Sequence, residues 1–415
     1  MFRFAEKLKK GICEIKKGES DTEKKGKQSS DIKNDSKILG GASDAEKRDT
    51  SGDAERRMGK YIYGIIMRLD PSQTESEEVD SDREIDFGHC GITGNEKVYT
   101  VSHKNISAVV SDSEISDYNI SLKATVAQYL LGHQRVIERV MENFVVIPMR
   151  LGTFAHSEAE LRQVLGKIFS SSKDVFDKIL DKMEIDVVGT WNDFTAVLKE
   201  VGEEKEIKEI KEEFSISQKA MTVDEQIKIG VMVKKALDKK KEECAKKIEK
   251  VLRTVSSELK LYDLSDDKMV INTAILIEKV KEEDLYKKVE QLNTKFQEKL
   301  NFRCVGPLPP YSFCTFEIKR MDFKEIDQAR KRFALEEIAT TEEIKKAYKK
   351  LSLSLHPDKN HNKTDKKEWE FDEMNKAHKV LVDYCEASEQ GGYTGGYFFS
   401  ENMVKKNAIL VKLKD

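Results

Sequence analysis

The sequence has no long apolar run, few prolines and cysteines, and no large excess of charge of either sign. Its longest unbroken apolar runs are about four residues, such as residues 144–147, whereas a membrane span requires about 18. We therefore expect no membrane-spanning segment. Residues 1–18 lack the apolar stretch and the small-residue cleavage site of a secretory signal, so we expect a cytoplasmic protein.

The cysteines and the short motifs give no sign of metal binding or catalysis. No two of the six cysteines are closer than ten residues, which excludes a CxxC pair and a zinc-knuckle spacing. His89, Cys90 and His103 imitate the spacing of metal ligands, but no fourth ligand accompanies them. The chain also has no P-loop, nucleophile-elbow or His-Glu-x-x-His motif. We expect a non-enzymatic protein from a reducing compartment, with no metal and no cofactor.

The charges are numerous but balanced. Lys and Arg together number 73, Asp and Glu together number 76, and charged residues make up 36% of the 415 residues. The basic clusters at residues 234–235 and 239–241 alternate with acids and have no aromatic residues among them. This pattern argues against a nucleic-acid partner.

Changes in composition and periodicity divide the chain into six predicted segments. The first, residues 1–59, is a charged tail that cannot bury enough apolar surface to fold, although its start could form a short basic amphipathic helix. The others are an N-terminal α+β domain (60–195), a charged helical connector (196–260), a second α+β unit (261–325), a helical module (326–387) and a Gly-rich loop with a C-terminal strand (388–415).

The fold class predicted from this order is α+β. Two small mixed-sheet α+β units are joined by long charged helices and followed by an all-helical module. In the N-terminal domain, short β-branched and aromatic runs (60–67, 98–101, 106–110, 144–149 and 185–191) predict strands of one sheet with helices on one face. In the connector, alternating Lys and Glu predict exposed helices, which form either a coiled-coil or partner-binding arm or helices packed on one side only.

The helical module contains the most specific pattern. Residues 341–355 are a predicted helix, which begins with Thr340 and Glu343 at capping-box spacing. Its apolar residues recur on one face, and four lysines lie away from that face: Lys345, Lys346, Lys349 and Lys350. Pro357 ends the helix and places His356 and Asp358 in an exposed turn. A return helix over residues 369–384 carries Phe371, Met374, Ala377 and Leu381 on its inner face.

Two antiparallel helices, a basic outer face and a His-Pro-Asp turn resemble a J-domain of the DnaJ type over about 55 residues. The resemblance implies stimulation of a DnaK-type ATPase, through binding by His356, Pro357, Asp358, Lys345, Lys346, Lys349 and Lys350. The sequence departs from the family at Ser354 and Leu355, where a basic and then an aromatic residue are usual. The alternative is a J-like module kept for structure or for another partner.

A second series of motifs covers about residues 60–320. It includes Tyr61-Ile62-Tyr63-Gly64-Ile65, Pro148-Met149-Arg150-Leu151-Gly152-Thr153 and Gly306-Pro307-Leu308-Pro309-Pro310-Tyr311-Ser312-Phe313. This series resembles the GvpL/GvpF gas vesicle family. The resemblance implies an accessory protein of gas vesicle assembly, located at the gas vesicle in the cytoplasm, that binds the apolar shell protein and other gas vesicle accessory proteins. A general J-domain co-chaperone with another client and a minor structural component of the vesicle are the alternatives.

Candidate partner-binding residues lie in two turns and on one helix. In the proline-rich turn, prolines lower the cost of ordering a surface loop, and aromatic side chains could anchor a partner; a rigid turn between two strands is the alternative. Arg150 could form part of a rim below the predicted sheet, or it could pair with a buried acid. His133 could bind a ligand or partner, or it could be a hydrogen-bonded histidine of the core. The complete set is Pro307, Pro309, Pro310, Tyr311, Phe313, Arg150, Gly152, Thr153 and His133.

Overall fold

The computed structural model describes residues 57–68, 84–115, 123–217, 222–355 and 365–414. The predicted tail at 1–59 and the His356-Pro357-Asp358 turn therefore lie largely or wholly outside the described residues. The described helices are α1 (Lys123–Met141), α2 (Glu158–Ile179), α3 (Phe194–Gly202), α4 (Lys205–Ser217), α5 (Val223–Leu252), α6 (Glu282–Lys295), α7 (Phe323–Arg332), α8 (Thr341–Leu355), α9 (Asp365–Gln390) and α10 (Glu401–Asn407), with a 3-10 turn at Lys279–Lys281.

The strands form two sheets and two short ribbons. They are β1 (Met58–Met67), β2 (Asp86–His89), β3 (Lys97–His103), β4 (Ile106–Glu114), β5 (Val146–Pro148), β6 (Phe154–Ala155), β7 (Lys182–Trp191), β8 (Glu258–Leu261), β9 (Met269–Glu278), β10 (Leu300–Leu308), β11 (Thr315–Arg320), β12 (Ile338–Ala339), β13 (Tyr397–Phe398) and β14 (Ile409–Lys414). These elements confirm the predicted α+β class. The predicted mixed character of the sheets is wrong, because every strand pair described within the two sheets is antiparallel.

The first sheet has the order β2-β3-β4-β1-β5, with β6 also paired to β1. Its centre is buried on both faces, because β1 has apolar side chains in succession. Ile62 and Ile65 pack beneath α2, whereas Tyr61 and Tyr63 pack beneath α1. The prediction that the helices lie on one face is therefore wrong. A sheet with two apolar faces needs a helix on each to keep both from water.

The second sheet has the order β10-β7-β9-β8. Its β7 was predicted to belong to the sheet of the N-terminal domain, and that placement is wrong. The strand pairs antiparallel with β9 on one side and β10 on the other, so both of its edges are hydrogen-bonded within the second sheet. Met183, Ile185 and Val187 on one face of β7 share a core with α5 and α6. The limits of the six segments given above stay a prediction.

The charged connector packs mainly on one side. In α5 the buried apolar side chains, Leu237, Ile248 and Leu252, lie in the C-terminal part of the helix and join the core of the second sheet. The N-terminal part of α5 exposes several aliphatic side chains instead. This arrangement agrees with the one-sided alternative for the C-terminal part of the helix.

The helical module is enclosed between two paired strands. β11 precedes α7, α8 and α9, and β14 follows them, yet the two strands pair antiparallel from Thr315↔Lys414 to Arg320↔Ile409. A parallel bridge between Met149 and Phe316 places this ribbon beside β5, and Phe316, Ile409 and Val411 enter the core beneath α2. The module therefore interrupts a ribbon that belongs to the core of the N-terminal domain.

Candidate functional site

The basic face of α8 has the geometry that the sequence predicts. The helix begins with a capping box, since the Glu343 amide donates to Thr340 Oγ1 at 3.2 Å and the Thr340 amide donates to Glu343 Oε2 at 2.8 Å. Ile344 is buried against the other helices of the module. The four lysines lie on the opposite side and are exposed: Lys345, Lys346, Lys349 and Lys350. Their ammonium groups form one positive surface that an acidic partner could meet.

The return helix holds α8 in position. Tyr348 on α8 stacks on His378 of α9 with ring centroids 4.0 Å apart, and its hydroxyl donates to Asn375 Oδ1 at 2.9 Å. Met374 and Leu381 of α9 are fully buried in the shared core. These contacts confirm the predicted inner face of the return helix and make the lysine face a rigid surface.

Buried hydrogen bonds join this module to the N-terminal domain. Lys167 of α2 is 6% exposed, and its Nζ donates to the carbonyl oxygen of Ala387 at 2.8 Å and to that of Ile409 at 2.5 Å. Burial lowers the pKa of the Lys167 ammonium to about 8. Gln390 pairs with the edge of β14, where its amide donates to the Val411 carbonyl at 2.6 Å and accepts from the Val411 amide at 3.1 Å.

A buried carboxylate adds a second link between the module and the ribbon. Asp383 of α9 accepts from Lys319 of β11 at 2.6 Å and from Lys412 of β14 at 2.9 Å. Burial alone would raise the pKa of Asp383, but the two ammonium groups outweigh it and leave that pKa below its usual value. The orientation of α9 relative to the sheet is therefore set by paired charges as well as by packing.

The proline-rich turn connects β10 of the second sheet to β11 of the ribbon. Pro309, Pro310 and Phe313 are buried, so these side chains cannot touch a partner in this conformation. Pro307 is exposed and Tyr311 is half-buried. The partner-binding role of this turn stays a prediction. Because the other predicted side chains are buried, only Pro307 and Tyr311 of the predicted set are accessible for direct contact with a partner.

A buried acid holds the turn against the second sheet. Glu184 of β7 is 3% exposed, and its carboxylate accepts from the Ser312 amide at 2.8 Å and from Ser312 Oγ at 2.6 Å. Lys260 of β8 donates to the Ser312 carbonyl at 2.9 Å. Ser312 is thus bonded through three of its polar atoms, and the turn is a rigid element of the boundary between the two sheets.

The second predicted turn lies between β5 and β6. The Thr153 amide donates to the Arg150 carbonyl at 3.1 Å, and Gly152 has a φ of 79°, which glycine adopts without strain. Arg150 donates to Glu317 Oε1 at 3.0 Å, so it pairs with an acid, although that acid is not fully buried. Arg150 itself is half-exposed and remains accessible at the rim of the sheet.

His133 lies in the core rather than at a surface. It is 1% exposed, and its Nδ1 lies 2.7 Å from the hydroxyl oxygen of Tyr61. Burial lowers the pKa of the imidazole to about 3, and the Met149 backbone acts weakly in the opposite direction. The same Tyr61 hydroxyl accepts from the Gly152 amide at 3.3 Å, and the ring of Tyr311 lies 6.4 Å from that of His133. The structure thus brings His133, Gly152 and Tyr311 together near Tyr61, in a cluster that is buried at His133 and Tyr61 and partly exposed at Gly152 and Tyr311.

Comparison with known proteins identifies both parts of the chain. The family model described as "Gas vesicle synthesis protein GvpL/GvpF" matches residues 59–315, which is more than half of the chain. The chain belongs to the GvpL/GvpF family. A second model, described as "DnaJ domain", matches residues 331–387. Both predicted resemblances are confirmed.

Individual relatives show the same division. Gas vesicle protein F of Nostoc sp. is 23% identical over 258 residues, which are 61% of this chain and 97% of that protein. The human DnaJ homolog subfamily B member 3 is 42% identical over 72 residues, which are 15% of this chain and 50% of that protein. The crystal structure of GvpF from Anabaena sp. is similar with a TM-score of 0.49 and 24% identity over 61% of this chain and 97% of that chain.

The residues that join the GvpL/GvpF part to the DnaJ domain were missed from the sequence. Lys167 lies beside the apolar residues Val164, Leu165 and Ile168. A lysine at such a position of a helix would ordinarily be predicted to be exposed. Asp383 and Gln390 are ordinary polar residues near the end of a helix. A charge at the margin of an apolar stripe is the only local signal, and it does not indicate which distant residue the side chain contacts.

Within the described residues, no helix combines the length and the apolar character that crossing a membrane requires.

Proposed function

We propose that this protein is a non-enzymatic accessory factor of gas vesicle assembly. Its GvpL/GvpF part binds the apolar shell protein, in the company of other gas vesicle accessory proteins, and its DnaJ domain recruits a DnaK-type chaperone to the same client. The proposed location is the gas vesicle within the cytoplasm. The support is that one chain contains both parts.

The physical need for such a protein follows from the chemistry of its client. A shell protein with an apolar, gas-facing side is prone to aggregate before it is assembled. A partner that covers this side keeps the client separate, and a chaperone bound to the same partner meets the client at a high effective concentration. No chemical step is required of the protein itself.

The contacts between the two parts also support the proposal. The Asp383 carboxylate bridges β11 and β14, and Lys167 bonds α2 to Ala387 and Ile409. A J-domain on a loose tether would present its lysine face in many orientations. The contacts of Lys167 and Asp383 favour one orientation of this face to the GvpL/GvpF part, so we expect a bound chaperone to meet the client from a defined direction.

Two kinds of surface are proposed for the two partners. The chaperone binds the face of α8 with Lys345, Lys346, Lys349 and Lys350, and the turn with His356, Pro357 and Asp358. The client binds near the boundary of the two sheets, where Pro307, Tyr311 and Arg150 are at least partly exposed. Gly152, Thr153 and His133 shape this region from behind, and Pro309, Pro310 and Phe313 stiffen its turn.

Point substitutions test the proposal better than truncation does. Removing residues 329–415 would also remove β14, which contributes Ile409 and Val411 to the core beneath α2. We would therefore change the four lysines of α8 to glutamate in the full chain. The matched control changes four exposed lysines elsewhere, Lys173 of α2 and Lys239, Lys247 and Lys250 of α5, to glutamate.

The readouts are capture of the shell protein in co-expression and stimulation of ATP hydrolysis by a DnaK-type chaperone. The proposal expects the α8 variant to capture the client as well as the wild type while stimulation falls at least about tenfold, a loss of about 1.4 kcal/mol in binding. Chaperone stimulation without any client capture would favour a general J-domain co-chaperone. Recovery of the protein as a stoichiometric part of washed vesicles would favour a structural component.

A further inference from the structure

The N-terminal part of α5 carries an aliphatic stripe that nothing in the described structure covers. Val223, Ile227 and Val231 are 71%, 58% and 63% exposed and recur every four residues, so they lie on one face of the helix. The C-terminal half of α5 packs on the core of the second sheet through Leu237, Ile248 and Leu252, whereas these three side chains of the N-terminal part are exposed. Exposed aliphatic residues at helical spacing are unusual on a helix that is otherwise rich in charge.

Gly230 lies beside this stripe, within the helix. A side chain added there would meet no atom within 4 Å, so the space next to the helix is open. A glycine inside a helix costs about 1 kcal/mol relative to alanine. Its presence at an exposed, open position allows another helix to approach the backbone closely.

We propose that this stripe, Val223, Ile227 and Val231, is a self-association surface, at which two copies of this chain pack their α5 helices antiparallel. With the two-fold axis at Ile227, this residue meets its own copy, and Val223 of one chain meets Val231 of the other. A two-fold interface of this kind uses the same patch on both partners. The surface is independent of the proposed client and chaperone sites.

Charge favours a second copy as the occupant and sets its direction. Asp224 and Lys228 are exposed on the same flank of the stripe. In the antiparallel pair, Asp224 of each chain lies within about one turn of Lys228 of the other, so that opposite charges meet twice. In a parallel pair in the same register, the flanks that carry Asp224 and Lys228 would lie on opposite sides of the interface, so these two charge pairs could not form.

The size of the patch predicts a weak complex. Three aliphatic side chains from each chain bury far less than the roughly 1,600 Å² of a standard interface. We therefore expect a dimer with a dissociation constant on the order of 10–100 μM. Such a dimer is populated only where the protein is concentrated, for example where several copies gather on one assembly.

Sedimentation equilibrium of the full chain, over about a hundredfold range of concentration, tests the proposal. We expect the wild type to shift from monomer to dimer, and Ile227→Glu to weaken the dimer at least about a hundredfold, because each dimer loses two buried isoleucines. The matched control is Val280→Glu, since Val280 is 86% exposed but lies far from α5 in sequence and outside the stripe. It should dimerise as the wild type does.

Two further variants separate self-association from a folding defect. Gly230→Gln improves helix propensity but fills the open space, and it should also abolish the dimer. Asp224→Lys should weaken the dimer by bringing two lysines together, and the additional change Lys228→Asp should restore it. A wild type that stays monomeric throughout overturns the proposal, as does a dimer that Ile227→Glu leaves intact. Capture of the shell protein through the same stripe by a monomeric chain would assign the surface to that client instead.

Discussion

The Lys167 ammonium donates a hydrogen bond of 2.8 Å to the carbonyl oxygen of Ala387, although the two residues are 220 positions apart in the chain. The bond joins α2 of the N-terminal domain to the last turns of α9 in the DnaJ domain. The carbonyl oxygens at the end of a helix have no partners within it and carry a partial negative charge, so a buried lysine is a suitable donor there. The Lys167 side chain therefore links the N-terminal domain to the DnaJ domain.

Replacing Lys167 with methionine should destabilise the protein by about 1–2 kcal/mol. The carbonyl groups of Ala387 and Ile409 would lose their donor, and the removal of a buried cation offsets part of that cost. Denaturant unfolding measures the difference in the free energy of unfolding. Lys173→Met on the exposed side of the same helix is the control and should change it by less than about 0.5 kcal/mol. Equal effects of the two substitutions would contradict a role for the buried hydrogen bonds.

Replacing Asp383 with asparagine should cost about 2–3 kcal/mol. The change removes the negative charge that Lys319 and Lys412 share, and Lys412 then keeps only its contact with Glu386. Hydrogen exchange should show faster opening of the β11–β14 ribbon, whereas the backbone amides of β3 and β4 should keep their protection. Asp372→Asn, at an exposed position of the same helix, serves as the comparison. If the ribbon kept its protection, Asp383 would not join the domains.

His133 should make the stability of the protein sensitive to acid. Its pKa is about 3 in the folded chain, against 6.5 for an unperturbed histidine, so the unfolded chain binds the proton first. The free energy of unfolding should therefore fall as the pH drops from about 6.5 towards 3, by up to a few kcal/mol. In His133→Gln this part of the pH dependence should disappear, while the exposed His89→Gln should retain it. Parallel stability–pH curves for wild type and His133→Gln would refute the assignment.

Replacing Glu184 with alanine should loosen the proline-rich turn. The amide and hydroxyl groups of Ser312 would lose their acceptor, at a cost of about 2 kcal/mol. Amide exchange at Ser312 should accelerate more than exchange in the centre of β9. The exposed Glu283→Ala is the control. If the turn positions the client, as proposed, Glu184→Ala should also reduce capture of the shell protein without affecting chaperone stimulation.

Much of the local structure is predictable from the sequence, because it depends on residues near one another in the chain. The start of α8 follows from Thr340 and Glu343, three positions apart, and its two faces follow from the spacing of apolar residues and lysines. The start of α2 follows in the same way from Ser157, whose side chain accepts from the Glu160 amide. Both family resemblances rest on such local motifs, so they too were visible in the sequence.

The partners of the strands were not predictable in this way. The alternation in β7 predicts a strand, but both candidate sheets could accept it, and only the packing of Met183, Ile185 and Val187 against α5 and α6 decides between them. The pairing of β11 with β14 across the whole DnaJ domain is likewise invisible locally. The proline-rich turn was recognised, but the side to which Phe313 points was not, because burial depends on the sheet behind it.

Local sequence patterns are sufficient to predict which segments become helices and strands, which families the two parts resemble, and where the basic face of α8 lies. Those properties arise from backbone preferences and side-chain spacing within a few turns of the chain. The enclosure of the DnaJ domain by the β11–β14 ribbon, and its contacts through Lys167 and Asp383, follow from the tertiary structure and not from any local pattern. These contacts join residues far apart in the chain, and their energy exists only when burial brings charges and unpaired carbonyl groups together.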